Sequence, residues 1–180
     1  MSSSYFYYLV VSFLVMMFLA IEPSSCKSPT DDLISKICSQ TADVRFCNDI
    51  FYKHLPNPNA NAVALTQITV TQSTLAASDI SVLIDRLINS EPNKTVQDIF
   101  RICQAGYEVI LNQFEMASMS FAQEDYKSVA FYESKAVRPA NDCGNNVKKY
   151  LQLTFKNNQM KVLIQMAIVT VNLIGKRPLV

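Results

Sequence analysis

The stretch 103–143, which begins and ends with a cysteine, constrains the fold of this chain most strongly. Apolar residues recur at steps of three and four through its first half and from four residues before it, the spacing of one helix face: Ile99, Cys103, Gly106, Ile110, Phe114, Ala117 and Phe121. After a polar break at 123–125 the stepping returns at Tyr126, Val129, Ala130, Glu133, Ala136, Val137 and Ala140. This pattern predicts two helices of an antiparallel hairpin, which would bring Cys103 and Cys143 side by side. A disulfide between them would staple the pair.

Composition favours a single all-α domain. The chain has 180 residues, of which 49% are hydrophobic and 17% charged, and this fits one globular domain better than two. Three glycines and no tryptophan argue against a turn-rich β-sandwich and against a glycine-rich phosphate loop. Sixteen basic residues against 15 acidic ones form no basic field, so we expect no nucleic-acid partner.

The amino-terminal region predicts a secretory signal peptide. Residues 5–21 are almost entirely apolar and are followed by a short polar run at 22–26. Small residues at Ser24 and Cys26 suit a cut before Lys27, which makes 1–26 the signal peptide and 27–180 the mature domain. A cut after Ala20, which would leave Cys26 as a free thiol, and a retained membrane anchor are the alternatives. After cleavage we expect no membrane association and a secreted, extracellular protein.

Residues 27–58 predict a short helical hairpin. Thr30 can cap the first helix, and the apolar pattern breaks at 39–43 before a second helix that ends at Pro56 and Pro58. Eight residues separate Cys38 from Cys47, too many for a redox or zinc-knuckle pair, so a structural disulfide is the favoured interpretation.

The remainder, 59–175, predicts four helical stretches. Residues 60–89 contain no glycine or proline and suit one long helix, although 68–71 would also suit a strand. Thr95 and Asp98 resemble a capping box for the second helix. In the third, Pro139 interrupts the end and Gly144 can break it. After a connection at 148–155, the last helix covers 157–175; it is too short and interrupted to span a bilayer, and we expect it to be buried, with an exposed binding face as the alternative.

The chain carries one glycosylation motif and little catalytic equipment. Asn93-Lys94-Thr95 lies in a predicted exposed linker, so Asn93 is the expected N-glycosylation site; the alternative is a linker that merely matches the motif. His54 is the only histidine, and beside two prolines it is expected to be a surface residue and not a catalytic base. We therefore predict no catalytic residue, no metal site, no cofactor and no enzyme activity.

Several residues together resemble the plant invertase and pectin methylesterase inhibitors. They are residues 34–41 (ISKICSQT) leading to Cys47, Cys103 followed by Tyr107, Asp125-Tyr126, Ser134 with Ala136, and the closing Cys143. The resemblance implies an up-and-down four-helix bundle preceded by a helical hairpin. It also implies the pairs Cys38–Cys47 and Cys103–Cys143, one of three pairings that four cysteines allow. The implied mechanism is non-covalent one-to-one occlusion of an enzyme's substrate cleft by a monomer in the cell wall.

The target is either pectin methylesterase or an acid invertase. Invertase-directed members often carry Pro-Lys-Phe between the second and third bundle helices, whereas this chain has Gln123-Glu124-Asp125-Tyr126, so pectin methylesterase is preferred. Asp142 also departs from the small or hydroxyl residue that is frequent before the last cysteine. No target-binding residue can be selected from the sequence. A carrier of an apolar ligand and a same-fold secreted protein without inhibitory activity are the alternatives.

Overall fold

A computed structural model describes residues 28–174, which form seven α-helices and no β-strand. The predicted signal peptide, its candidate cleavage sites and Gly175 lie outside the described residues. The helices are α1 Pro29–Cys38, α2 Val44–His54, α3 Ala62–Ser90, α4 Lys94–Ala122, α5 Tyr126–Lys135, α6 Val137–Asn146 and α7 Leu151–Ile174. The all-α prediction is confirmed. No helix in the range 28–174 is long and apolar enough to cross a membrane.

Helices α3, α4, α5 with α6, and α7 form the four-helix bundle. Helix α4 packs on α3 and on α5 and α6, while α7 packs on α3, α5 and α6, so α4 and α7 lie diagonally across the bundle. The hairpin α1–α2 packs on α7 and α3. The predicted architecture of a hairpin followed by a bundle, with two disulfides, is confirmed.

The two disulfides link neighbouring helices. Cys38 and Cys47, with Cα atoms 5.5 Å apart, join α1 to α2. Cys103 and Cys143, with Cα atoms 4.6 Å apart, join α4 to α6 across 40 residues of chain. The second bond closes the longer loop, so it removes more conformational entropy from the unfolded chain than the first.

Two predicted helix caps are wrong. Helix α1 is capped by Ser28 in a capping box: the Ser28 Oγ accepts from the Asp31 N–H at 3.1 Å, and Asp31 accepts from the Ser28 N–H at 3.0 Å. Thr30 is instead buried, and its hydroxyl donates to the Ala60 carbonyl at 2.9 Å. Helix α4 is capped by Asn93, not by Thr95.

The strand-prone segment 68–71 lies within α3, as the helix prediction required. Ile68, Thr69 and Val70 are all buried against other helices. Local β propensity is worth a fraction of the burial free energy of such side chains, so tertiary packing decides the conformation. The last helix is also largely buried, as expected.

The third bundle helix is divided in its middle. Pro139 lacks the N–H that a continuous helix would direct to the Lys135 carbonyl, and its ring would clash with that carbonyl. The chain therefore ends α5 at Lys135 and starts α6 at Val137, which places Pro139 in a first turn where no N–H partner is needed. The prediction that Pro139 interrupts the end of this helix is wrong, and so is the predicted break at Gly144, because α6 continues to Asn146.

The last helix begins earlier than predicted. Residues 151–155, expected to form part of a connection, already belong to α7. The hydroxyl of Thr154 donates to the Val147 carbonyl at 2.6 Å, and Leu153 is fully buried in the bundle core. This early start extends α7 toward the end of the bundle that carries the Cys103–Cys143 disulfide.

Candidate interaction surface on helix α4

Helix α4 has one side that no other described element covers. Its neighbours are α3 on one flank and α5 and α6 on the other, while the hairpin packs elsewhere, on α3 and α7. Its inner side is buried through Phe100, Cys103, Tyr107, Ile110, Phe114 and Ala117. The side opposite this row is therefore left uncovered by residues 28–174.

An apolar stripe runs along that outer side. Ile102, Val109 and Met119 expose 49%, 44% and 59% of their surface, which is high for large apolar side chains. The complete stripe, which we call the α4 face, follows steps of three and four: Ile102, Ala105, Val109, Asn112, Met116 and Met119.

The α4 face contains no charged residue but has a charged border. Arg101, Glu108 and Glu115 each precede a residue of the stripe by one position, and all three are exposed. Apolar surface rimmed by ionised side chains is typical of protein-binding sites. On the neighbouring helix α5, Phe131 is 54% exposed, and the Lys135 Nζ lies 4.9 Å from its ring centroid.

The inner side of α4 is held rigidly. Besides the disulfide at Cys103, the Tyr107 hydroxyl donates to the Asn157 Oδ1 at 2.9 Å, and the Asn157 Nδ2 donates to the Ala140 carbonyl at 3.0 Å. Burial raises the pKa of Tyr107 above its usual value, so the phenol stays neutral. These links tie α4 to α6 and α7, and they fix the backbone that presents the α4 face.

The sequence predicts that His54 is a surface residue without a catalytic role and that the chain holds no metal site. His54 is half-buried at the end of α2 and borders a shallow cleft with Pro56 and Gln67. Within the described residues, no group of three or more His, Cys, Asp or Glu side chains could hold a metal ion. Clefts between the described elements are open to solvent, including the one of about 590 Å³ beside Asn48 and Tyr52.

Asn93 is exposed at the start of α4. Its Oδ1 accepts from the Thr95 and Val96 N–H groups at 2.9 and 3.3 Å, and its own N–H donates to the Glu91 Oε1 at 3.0 Å. Within residues 28–174, the Asn93 Nδ2 makes no hydrogen bond. The side-chain nitrogen that would carry a glycan is therefore not used for capping.

Two features were missed by sequence reasoning. The α4 face is the outward counterpart of the core stripe at 99–121, so its spacing could have been recognised on the same helix. Glu133 falls in the apolar stripe of the third bundle helix, and a carboxylate at such a position should have raised the question of its partner.

Residues 32–172 match the family model of the plant invertase/pectin methylesterase inhibitors. The chain belongs to this family. Proteins of the family are inhibitors and not enzymes, which confirms the prediction that this chain is not an enzyme. They are also generally extracellular.

Two solved structures share the fold of this family member. A mutant form of a pectin methylesterase inhibitor from Arabidopsis is 22% identical, with a TM-score of 0.70 over 77% of this chain and 95% of that one. A pectin methylesterase inhibitor from Arabidopsis thaliana is 21% identical, with a TM-score of 0.62 over 81% of this chain and 98% of that one. No curated protein matches the chain.

Proposed function

We propose that the chain is a secreted inhibitor of a plant cell-wall carbohydrate-active enzyme and that its target is pectin methylesterase. The observation that carries this proposal is the family match over residues 32–172. In the proposed mature protein, 1–26 are removed, 27–58 form the hairpin and 59–175 the bundle. The protein acts as a monomer in the cell wall.

Inhibition proceeds by non-covalent, one-to-one occlusion of the substrate cleft, with the α4 face as the contacting surface. Ile102, Val109 and Met119 supply apolar area that is already exposed, so little rearrangement is needed on docking. The Cys103–Cys143 disulfide and the buried Tyr107–Asn157 bond hold the helix beneath them. A rigid surface of this kind loses little conformational entropy when it binds.

Two observations support pectin methylesterase over acid invertase. The similar solved structures are of pectin methylesterase inhibitors. The connection between α4 and α5 is a tight three-residue turn with Glu124 at a φ of 58° and contains no Pro-Lys-Phe motif. An acid invertase is the second candidate, because the family includes inhibitors of both enzymes.

Asn93 is the proposed glycosylation site of the secreted protein. A glycan on Nδ2 leaves Oδ1 available, so the cap of α4 persists in the modified protein. The side chain is exposed, and the attached sugar would extend from the end of α4 that carries the disulfide.

An enzyme titration tests the proposed function. The oxidised mature protein, from Lys27 onward, is added in increasing ratio to a plant pectin methylesterase and to a cell-wall acid invertase, both assayed in mild acid. We expect loss of the methylesterase activity near an equimolar ratio, with no loss of the invertase activity. The reverse result would move the target to invertase.

If neither enzyme slows while circular dichroism shows a folded helical protein, the inhibitor proposal fails for these enzymes. The fold-only alternative would then lead. An apolar-ligand carrier would need an internal cavity, whereas the clefts between described residues, including the one of about 590 Å³, open to solvent.

A further inference from the structure

Helix α5 places an unpaired carboxyl group in the bundle core. Glu133 has 0% exposure, and neither of its carboxyl oxygens has a hydrogen-bond partner among the described residues. The ion pairs within 28–174 join other residues. Buried carboxylates are ordinarily paired, because an isolated charge loses its hydration without compensation.

A second unpaired polar group lies at the same level of the bundle. Val70 on α3 and Val129 on α5 belong to one buried cluster. Ser73 lies three residues after Val70, and Glu133 lies four residues after Val129. Both α3 and α5 run toward the end of the bundle that carries the Cys103–Cys143 disulfide, so both residues lie beyond the cluster in that direction. The Ser73 hydroxyl, like the Glu133 carboxyl, is buried without a partner among the described residues.

Three helices pack against α5, namely α4, α6 and α7. None of them supplies a charged group that compensates a negative charge on Glu133. Their charged residues near this level, with those of α5 itself, are exposed or half-buried: Glu108 and Glu115 on α4, Arg138 and Asp142 on α6, Lys156 and Lys161 on α7, and Lys127 and Lys135 on α5. Arg138 and Asp142 approach each other, with Nε and Oδ2 3.6 Å apart. The other buried titratable group on these elements, Tyr107, is bonded to Asn157.

We propose that Glu133 is a pH-sensitive element of the bundle, held as a neutral carboxylic acid in the folded protein at acidic pH and destabilising the fold as pH rises. The geometry supports the neutral form, because a proton on the carboxyl removes a charge that no neighbour in the described part of the chain balances. Desolvation by burial raises the pKa of Glu133 from its usual 4.5 to about 8.

The direction of the pH effect on stability follows from the difference between the pKa of Glu133 in the unfolded chain and its pKa in the folded protein. Below pH 4.5 both the folded and the unfolded chain carry the proton, and the contribution is constant. Between pH 4.5 and 8 the unfolded chain has lost a proton that the folded protein retains, so stability falls as pH rises. The protein is therefore expected to be more stable in a mildly acidic compartment than at neutral pH.

Urea unfolding of the oxidised mature protein at pH 5, 6, 7 and 8 tests this proposal, using Glu133→Gln and a matched control, Glu115→Gln, which changes an exposed carboxylate. Relative to Glu133→Gln, the unfolding constant of the wild type should rise on the order of 50-fold between pH 5 and 7. Glu115→Gln should follow the wild type. A ratio of wild type to Glu133→Gln that stays constant with pH would overturn the proposal.

Infrared spectroscopy of the folded wild type gives a second test that does not depend on the stability of a variant. A protonated carboxyl band should persist above pH 6, fall to about half of its intensity near pH 8 and be missing from Glu133→Gln. Loss of the band by pH 5 would contradict the proposal. Neither experiment involves a target enzyme, so failure here is distinguishable from failure of the proposed inhibition.

Discussion

Asn157 links three bundle helices through its side-chain hydrogen bonds. It is fully buried on α7, accepts from the Tyr107 hydroxyl of α4 and donates to the Ala140 carbonyl of α6. Both polar atoms of the Asn157 side chain form hydrogen bonds. Removing either partner therefore leaves a buried polar atom of Asn157 without that bond. The sequence places Tyr107 in the family pattern, but the spacing of 50 residues from Asn157 contains no signal for their bond.

Tyr107→Phe should lower the free energy of unfolding by about 2 kcal/mol, because the Asn157 Oδ1 would remain buried without a donor. Urea denaturation at constant pH measures this change. Tyr52→Phe is the matched control: its hydroxyl donates to the Asp31 Oδ1 at 2.9 Å, but the side chain is 52% exposed, so water can replace the bond. We expect a loss below about 0.5 kcal/mol for the control, and equal losses in the two variants would contradict the role of Asn157.

At the scale of the helices, two glycines in helix interiors differ in the space that a Cβ atom would have. A Cβ added to Gly106 on α4 would lie 3.4 Å from the Pro139 carbonyl oxygen, which is an ordinary contact. A Cβ added to Gly144 on α6 would lie 2.7 Å from the Asn157 Nδ2 and 2.8 Å from the Lys161 Nζ. The lysine can move aside, whereas Asn157 is held by its two hydrogen bonds.

The same substitution should therefore shift the melting temperature in opposite directions. Gly106→Ala should stabilise the protein by about 0.5 to 1 kcal/mol, because alanine loses less backbone entropy in a helix. Gly144→Ala should destabilise it by about 1 to 2 kcal/mol, because the new methyl group displaces Asn157. Thermal unfolding followed by circular dichroism measures both, and stabilisation by Gly144→Ala would show that the site tolerates the close approach.

The helix pattern also shows how far local rules extend. The uninterrupted apolar periodicity of 60–89 correctly indicates α3, and the polar break at 123–125 correctly indicates the turn before α5. Helix ends were predicted less well, since Ser28 and Asn93 compete with Thr30 and Thr95 as caps and all four are suitable residue types. Thr30 is buried and donates to the Ala60 carbonyl, 30 residues away in the chain, so Ser28 and not Thr30 caps α1.

For the whole molecule, the diagonal placement of α4 and α7 separates two surfaces. The hairpin covers part of α7 and α3, while none of the described helices covers the outer side of α4. If the α4 face is the inhibitory surface, its apolar side chains should contribute to binding without contributing to folding, because they are already exposed.

Val109→Lys and Met119→Lys should each weaken inhibition of pectin methylesterase about 30-fold while leaving the melting temperature unchanged. Inhibition constants from the enzyme titration, together with thermal unfolding, measure the two effects. Val44→Lys is the control: this side chain is 50% exposed on α2 of the hairpin, which packs on α3 and α7. If the control weakens inhibition as much as the α4 variants, the contacting surface does not include the α4 face.

The sequence by itself determined the helical class, the hairpin before the bundle and the positions of the cysteines. It could do so because one-sided burial imprints a period of about 3.6 residues on a helix, as in α4. Only the tertiary structure decided where Pro139 divides the third bundle helix, that Glu133 has no hydrogen-bond partner within 28–174 and which side of α4 the described helices leave uncovered. Which side chains stay uncovered or unpaired depends on residues that lie far apart in the chain and meet only when the helices pack. A local pattern therefore gives the spacing of a helix face but not what covers it.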